Sequence, residues 1–408
     1  MRTRTVWSLT IKRPGCLIYP LAAALCGLSF GQEQLPVVCC AAFVPVFWLL
    51  APTRLTAWGT AFSYYLAASR DIPAGAAVFF GSSAALTSGY VMYFGSSLVL
   101  SLPWALLWGS SKGKAPLSMT HLALRVGALL FVLAVPPLGV IGWGNPALAA
   151  GTVFRGWGIW GVLALSAWCG STACLIQKSR WHLLALLVWG CVAFCHAPAG
   201  VQPDGWGGID TQTAGLASGN YDLFASLSRS SALSDKILAS TAAYTLTPET
   251  GTGQWGKALA QYWSPVSALL KRAKRTAVIG AEEFNALGQY DNTLRFIGYD
   301  GGHVYRQRFP VPVSMWRPWG GPVTARAHWF DSGTITLRTG EKALCLLCYE
   351  QLLTFPYLTG MIFKKPDLII AASNTWWARE TSLPQAMKQC LYAWARLCDA
   401  PVIIAENI

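Results

Sequence analysis

The triplet Cys348-Tyr349-Glu350 closes an apolar run of strand type, Ala343 to Leu347. A thiol at the end of a buried strand can be held rigidly and still face a cleft. The next backbone N–H, on Tyr349, lies close enough to help hold a developing oxyanion. Such a thiol needs a base. A second strand-type run, Thr276 to Gly280, leads into Ala281-Glu282-Glu283, and either Glu282 or Glu283 offers a carboxylate. A third strand end, Tyr305-Arg306-Gln307-Arg308-Phe309-Pro310-Val311-Pro312, carries further polar and cationic groups. Plainer readings stand beside this one. A free cysteine is usually a small core hydrophobe, and an acid at a strand end is usually solvated. Cys345-x-x-Cys348 has the spacing of half a zinc site or a redox pair. No second close pair follows, because Cys390 and Cys398 are far apart, so neither metal nor cofactor is expected.

The elements that must position these groups follow from composition. The chain has 408 residues, 53% hydrophobic and 12% charged, where soluble domains carry about a quarter charged residues. A mean hydropathy of +0.40 points to a membrane protein. Before residue 198 the only acids are Glu33 and Asp71; the other 16 of 18 follow it. The chain therefore divides into an apolar part, 1–197, and a mixed, globular part, 198–408, long enough to bury its own core. The net charge of +13 would suggest nucleic acid in a soluble protein. Here much of it sits in short loops between apolar runs and reads as topology, so no direct nucleic-acid contact is expected. The one basic cluster of the globular part, Lys271-Arg272-Ala273-Lys274-Arg275, reads as a solvated helix end. Of the 12 cysteines, eight lie in or beside the apolar runs, where thiols act as apolar filler rather than as a disulfide framework.

Residues 1–14 carry Arg2, Arg4, Lys12 and Arg13, and a first apolar run follows at Cys16–Phe30. It is read as a retained helix rather than a signal peptide, because more apolar runs follow at once and no A-x-A-like site ends it. The later runs are 35–52, 55–69, 74–108, 121–143, 157–177 and 181–197. Most reach the ~20 residues a bilayer core needs. The run 74–108 is too long and rich in Gly and Ser, so a kink or split is expected. With seven spans and a cytoplasmic N-terminus, nine basic residues face the cytoplasm and two, Arg70 and Arg155, the other side. That arrangement makes the protein a multi-pass protein of the bacterial inner membrane with its globular domain in the periplasm; six or eight spans would reverse the domain. The loop Gly142-Trp143-Gly144-Asn145-Pro146 with Arg155-Gly156-Trp157-Gly158 reads either as an interfacial Trp belt or as a re-entrant wall of a site at the membrane face.

In the globular part, expected strands are Gly208–Gln212, Thr276–Gly280, Leu294–Tyr299 paired with Gly302–Arg308, Thr334–Arg338 paired with Ala343–Leu347, Asp367–Ala371 and Pro401–Ala405. Expected helices are Tyr221–Thr241, Pro265–Lys274 and Pro384–Leu397. Strands and helices mix, which gives a layered α/β or α+β domain.

Order and spacing resemble the nitrilase (carbon–nitrogen hydrolase) superfamily, and within it apolipoprotein N-acyltransferase. Ile279-Gly280-Ala281-Glu282 resembles that family's buried strand ending in Trp-Pro-Glu. Leu347-Cys348-Tyr349-Glu350 resembles its Ile-Cys-Tyr-Glu, and Ser373-Asn374-Thr375-Trp376-Trp377 its Ser-Asn-Asp-x-Trp-Phe. The resemblance implies a multi-span α-helical membrane domain followed by an α-β-β-α sandwich. It implies a Glu–Lys–Cys catalytic set: Cys348 as nucleophile, Glu282 as base and Glu350 in support. Tyr349, Arg306, Arg308, Asn374 and Trp376 would line the pocket or the oxyanion site. A family of plasmid conjugal-transfer proteins with a similar layout also resembles the chain, which implies a role in conjugation and mating-pair proteins as partners.

The pattern breaks in three places. The family's lysine segment, Tyr-x-Lys-x-x-Leu-Val-Pro, puts Gln307 at the lysine position. Gln brings no charge, so oxyanion stabilisation weakens and the thiol pKa rises. Arg306 and Arg308 are adjacent but on a strand face the other way unless a bulge turns one in. Ser314-Met315 stands where the family has Gly-Glu, and this sequence stops at Asn407-Ile408 where the family continues. Two functions remain: an N-acyltransferase or amidase working through a cysteine thioester, with a membrane lipid as acyl donor, or a catalytically inactive scaffold supporting the conjugation apparatus. A transporter is disfavoured, since the apolar runs carry almost no ionisable residues.

Overall fold

The computed structural model describes residues 16–81, 83–109, 118–177, 188–189, 202–213, 222–320, 323–363 and 365–408. Residues 1–14, the charges Lys112, Lys114, Lys178 and Arg180, and most of the run 181–197 lie outside the described residues.

The first part is helical: α1 (Ile18–Gly27), a 3-10 run Leu35–Ala42 leading into α2 (Phe43–Leu50), α3 (Arg54–Ala68), α4 (Ile72–Phe80), α5 (Ser83–Leu107), α6 (Met119–Ala134), the single turn α7 (Ala150–Val153) and α8 (Ile159–Ile176). Side-chain caps set two starts. Thr53 accepts from the Thr56 N–H and Ser118 from the His121 N–H. The run 74–108 is split, as expected. Gly81 ends α4 in the left-handed region at φ +64°, and α5 begins two residues later. The run 121–143 stops at Ala134, because Val135-Pro136-Pro137 cannot continue a helix. Among the described residues, two helical segments are long and apolar enough to cross a bilayer, Leu86–Leu107 and Ile159–Ile176.

The second part is a sandwich of two sheets. The first has the order β1 (Trp206–Gly208), β2 (Tyr244–Leu246), β3 (Thr276–Phe284), β4 (Gln289–Gly298), β5 (Val304–Arg306), with β6 (Thr324–Ala325) also paired to β4. The second has the order β10 (Val402–Asn407), β9 (Leu368–Asn374), β8 (Lys342–Leu347), β7 (Thr334–Thr336). Alternation along the strands assigns each face. Ala343, Cys345 and Leu347 of β8 and Leu368, Ile370 and Ala372 of β9 meet Leu246, Val278, Leu294 and Phe296 of the first sheet in one core. Cys345 is thus core filler, held between the sheets. The intervening Leu344, Leu346, Ile369 and Ala371 pack the other way. A strand buried on both faces reads as an unbroken apolar run, which is why β8 and β9 were visible in the sequence.

Helices α9 (Leu223–Ala239) and α10 (Lys257–Arg272) cover the outer face of the first sheet through Leu233, Ile237, Leu259 and Trp263 against Ala277 and Ile279. Helix α12 (Leu383–Cys398) covers the second sheet, with α11 (Thr354–Phe363) beside it. The result is an α-β-β-α arrangement. Its α12 layer is shared with the helical part: Leu391, Trp394 and Leu397 lie in one core with Trp48, Leu148 and Leu165. At Gly151 an added Cβ would meet the Ala393 carbonyl oxygen at 1.9 Å, so only glycine allows α7 to rest on α12.

Four sequence expectations need correction. The helix expected over Pro265–Lys274 spans Lys257–Arg272, with Pro265 inside it. The first strand is Trp206–Gly208 rather than Gly208–Gln212. The strand Tyr244–Leu246 was not expected at all. Glu282 does not stand at a strand end. Strand β4 pairs with β3 along its whole length, from Thr276↔Gly298 to Phe284↔Tyr290, and carries β3 past Glu282.

Candidate active site

The strands deliver their chemistry at one end of the sandwich. In the second sheet β8, β9 and β10 run parallel. Their carboxyl ends present Cys348, Asn374 and Asn407. In the first sheet β2 runs parallel to β3 and leads into Thr247-Pro248-Glu249. Carboxyl ends of parallel strands are where α/β proteins commonly build sites.

Cys348 opens a 3-10 turn, Cys348–Leu352, with φ +46°, a left-handed conformation that side chains rarely adopt. Glu350 holds that elbow. Its two oxygens accept from the N–H of Leu347 (2.7 Å), Arg308 (2.7 Å) and Phe309 (3.1 Å) and from the Tyr305 hydroxyl (2.6 Å). Glu350 is fully buried. Burial pushes its carboxyl pKa up, while the donors and the Arg308 charge pull the other way. It ties the Cys348 turn to the 305–309 segment and does not reach the sulfur through any of these bonds.

The carboxylate set against the Cys348 thiol is Glu249, and the two line the same cavity. The backbone N–H groups of Asn374 and Tyr349 also point at the sulfur and favour its thiolate. Yet burial, followed by the nearby Glu249 charge, drives the thiol well above its ordinary range. Burial likewise raises Glu249, to about 7, against hydrogen bonds from Cys348, the Asn292 side chain and the Asn374 N–H; the Glu282 charge adds to the rise. A carboxyl poised near neutrality can take a proton from the thiol and return it to a leaving group.

Glu249 is fixed by close packing. The turn lies directly on Gly280 of β3, where an added Cβ would meet the Pro248 oxygen at 2.0 Å and the Glu249 Cα at 2.9 Å. The Thr247 hydroxyl accepts from the Gly280 N–H at 3.1 Å, and the Thr252 hydroxyl donates to the Gly280 carbonyl at 3.1 Å. The Asn374 side chain donates to the Thr250 hydroxyl (3.0 Å) and accepts from Asn407 (2.8 Å), joining the two sheets at the site.

Of the residues expected from sequence, the structure brings Cys348, Tyr349, Asn374, Gln307 and Glu350 together. Glu282 comes near, but the carboxylate that acts on the Cys348 thiol is Glu249. Glu282 faces Asn292 across the β3–β4 ladder and is fully buried. The turn carrying Glu249 covers that face of β3 at Gly280, and its acid is the one that reaches the sulfur. Glu283 pairs with Arg295 instead. Gln307 is buried in the site, donating to the Leu347 carbonyl at 3.1 Å and accepting from Asn292 at 3.3 Å. Neither arginine supplies a cation to the sulfur. Arg306 turns outward to Asp291 (3.2 Å). Arg308 is buried beside Glu350 at 4.0 Å and donates to the Thr359 hydroxyl at 3.0 Å. Trp376 is not part of the cavity wall; its neighbour Trp377 is, stacked edge-on against Phe79 at 5.5 Å. Sequence reasoning missed Glu249 and Asn292. The signal for Glu249 was present: Pro248-Glu249 resembles the Pro-Glu of the motif sought at Glu282, but the strand before it is three residues long.

A cavity of about 200 Å³ starts at Cys348, Glu249 and Asn374 and extends past Trp143 and Met315 to Phe79, Phe80 and Met92 of α4 and α5. The Tyr349 hydroxyl donates to the Val140 carbonyl at 2.8 Å, and Trp143 pairs with Leu353. The loop after α6 therefore forms part of the cavity wall through Trp143 and Gly144.

Two curated proteins align with nearly the whole chain. The conjugal transfer protein TraB of Agrobacterium fabrum is 30% identical over 422 aligned residues, spanning 99% of this chain and 94% of that protein. The probable conjugal transfer protein TraB of Sinorhizobium fredii is 32% identical over 370 residues, spanning 89% and 90%. Among solved structures, a carbon-nitrogen hydrolase from Helicobacter pylori matches at TM-score 0.35 and 16% identity, over 49% of this chain and 72% of that one. A Nesterenkonia amidase of the nitrilase superfamily matches at 0.34 and 14%, over 51% and 79%. No protein-family model matches the chain.

Proposed function

The chain belongs to the TraB family of conjugal transfer proteins, and from that premise we propose a multi-pass inner-membrane protein of plasmid conjugal transfer whose C-terminal, nitrilase-like domain transfers an acyl group through a thioester on Cys348. In this reading residues 1–197 form the membrane part and residues 198–408 the periplasmic domain. The observation that carries it is the placement of the Glu249 carboxyl against the Cys348 thiol, with both groups lining one largely apolar cavity. The Cys348 sulfur attacks the donor carbonyl as Glu249 takes the thiol proton. The Tyr349 N–H faces the developing oxyanion. Collapse breaks the carbonyl–leaving-group bond, and Glu249 gives its proton to the departing oxygen or nitrogen. An amine or water then attacks the thioester, with Glu249 accepting that proton and returning it to the sulfur. The apolar wall reaching α4 and α5 suits the acyl chain of a membrane phospholipid as donor.

A second reading, an inactive scaffold for the conjugation apparatus, is favoured by one feature. Among the described residues no cation faces the sulfur, since Gln307 occupies the expected lysine position. One experiment separates the two. Full-length protein purified from membranes is incubated with a phospholipid bearing a deuterated acyl chain, and the Cys348 peptide is weighed by mass spectrometry. The active reading expects the labelled acyl mass on that peptide, released by hydroxylamine and absent in Cys348→Ala. No adduct from phospholipids or activated acyl donors supports the scaffold.

A further inference from the structure

The Glu249 carboxyl is held by an uncharged relay. The Asn292 side-chain amide donates to Glu249 Oε1 and, at 3.3 Å, to Gln307 Oε1. Gln307 Nε2 in turn donates to the carbonyl of Leu347, the residue before the nucleophile, at 3.1 Å. Asn292 is fixed from both sides of its strand. Its carbonyl accepts from the Gln307 N–H at 2.8 Å, and it stands opposite Glu282 in the β3–β4 register. Asn292 and Gln307 are each 1% exposed. Two side-chain amides thus bridge the base on one sheet to the nucleophile strand on the other, and no charge is involved in the bridge.

We infer that Asn292 is a positioning residue, which presents the Glu249 carboxylate to the Cys348 thiol, and that Gln307 holds Asn292 in that pose. The inference rests on the reading of Glu249 as base. Buried donors cannot be lost cheaply: without the Asn292 amide, one Glu249 oxygen has no donor on that side and its anion is less favoured. Asn292 touches neither the sulfur nor an acyl group; it acts through Glu249.

The test is the pH profile of Cys348 alkylation by iodoacetamide in full-length, detergent-purified protein, read on the Cys348 peptide by mass spectrometry. In that reaction the sulfur displaces iodide and the thiol proton passes to Glu249 and then to water. The native rate should rise with pH, level near the Glu249 midpoint of about 7, and rise again only when the thiol itself ionises. Asn292→Ala should move the first midpoint up by about one pH unit and cut the rate at pH 7 roughly tenfold. Gln307→Met, close to isosteric, should shift it the same way by less. Asn292→Asp keeps the shape but places an acid against Glu249, and should move the midpoint further than Asn292→Ala. An unmoved first midpoint in Asn292→Ala and Asn292→Asp, in protein that elutes as the native form does, overturns the inference. Loss of a folded Asn292→Ala leaves the decision to Gln307→Met and Asn292→Asp. Glu249→Gln reports on the premise separately: it should erase the first midpoint, and if that midpoint survives in Glu249→Gln, the base assignment itself fails.

Discussion

In the proposed mechanism the Cys348 sulfur has Glu249 as its base and, among the described residues, no cation beside it. Burial raises both partners, so the resting pair is a neutral thiol beside a carboxyl near its midpoint rather than an ion pair. The consequence is a specific pH dependence. Below about 7 Glu249 is protonated and cannot accept the thiol proton, so acylation should fall about tenfold per pH unit. Above 7 the rate should level. Stopped-flow acylation by a p-nitrophenyl ester across pH 5 to 9 measures this, and a flat profile over that range would mean Glu249 is not the base. Cys348 was legible in the sequence because a full apolar strand ends on it and Tyr349-Glu350 follows. Glu249 was not, because β2 offers only Tyr244-Thr245-Leu246, too short to show a period, while Glu282 sits in a long apolar run that imitates the pattern sought. Gln307 was singled out in the sequence and is buried at the site, but its partner Asn292 carries no local signature; only the β4–β5 pairing brings it there.

At the scale of elements, the site depends on how closely the turn 247–252 lies on β3. Gly280→Ala would place a methyl 2.0 Å from the Pro248 oxygen. The turn must lift, so stability should drop by ~1–3 kcal/mol. Cys348 acylation should fall at least tenfold, because a displacement of ~1 Å is enough to spoil proton transfer. Thermal denaturation and the ester assay on the same sample check both. An Ala variant with native activity would show that the turn adjusts without moving Glu249. Strands β8, β9 and β10 and helix α12 were legible because the strands are unbroken apolar runs and the helix has strong amphipathic spacing. The way α7 nests on α12 was not, since it follows from Gly151 meeting the Ala393 backbone, a contact between distant segments.

For the molecule as a whole, the helical part and the sandwich share one core, and the cavity runs from one into the other. Helices α4 and α5 therefore contribute to the site rather than merely anchoring it. Under the proposed seven-span topology a periplasm-active reporter fused after Ile408 should be active, and a signal from a cytoplasm-active reporter instead would overturn that topology. Hydropathy alone did not show that the run 121–143 breaks before Pro136-Pro137 and lends Trp143 to the cavity wall. The most direct test of the Glu249–Cys348 pair is the pre-steady-state burst with p-nitrophenyl octanoate. The pair predicts about one equivalent of nitrophenolate from the native protein and from Glu282→Gln, and none from Glu249→Gln or Cys348→Ala. A burst that persists in Glu249→Gln, or is lost in Glu282→Gln alone, would contradict it.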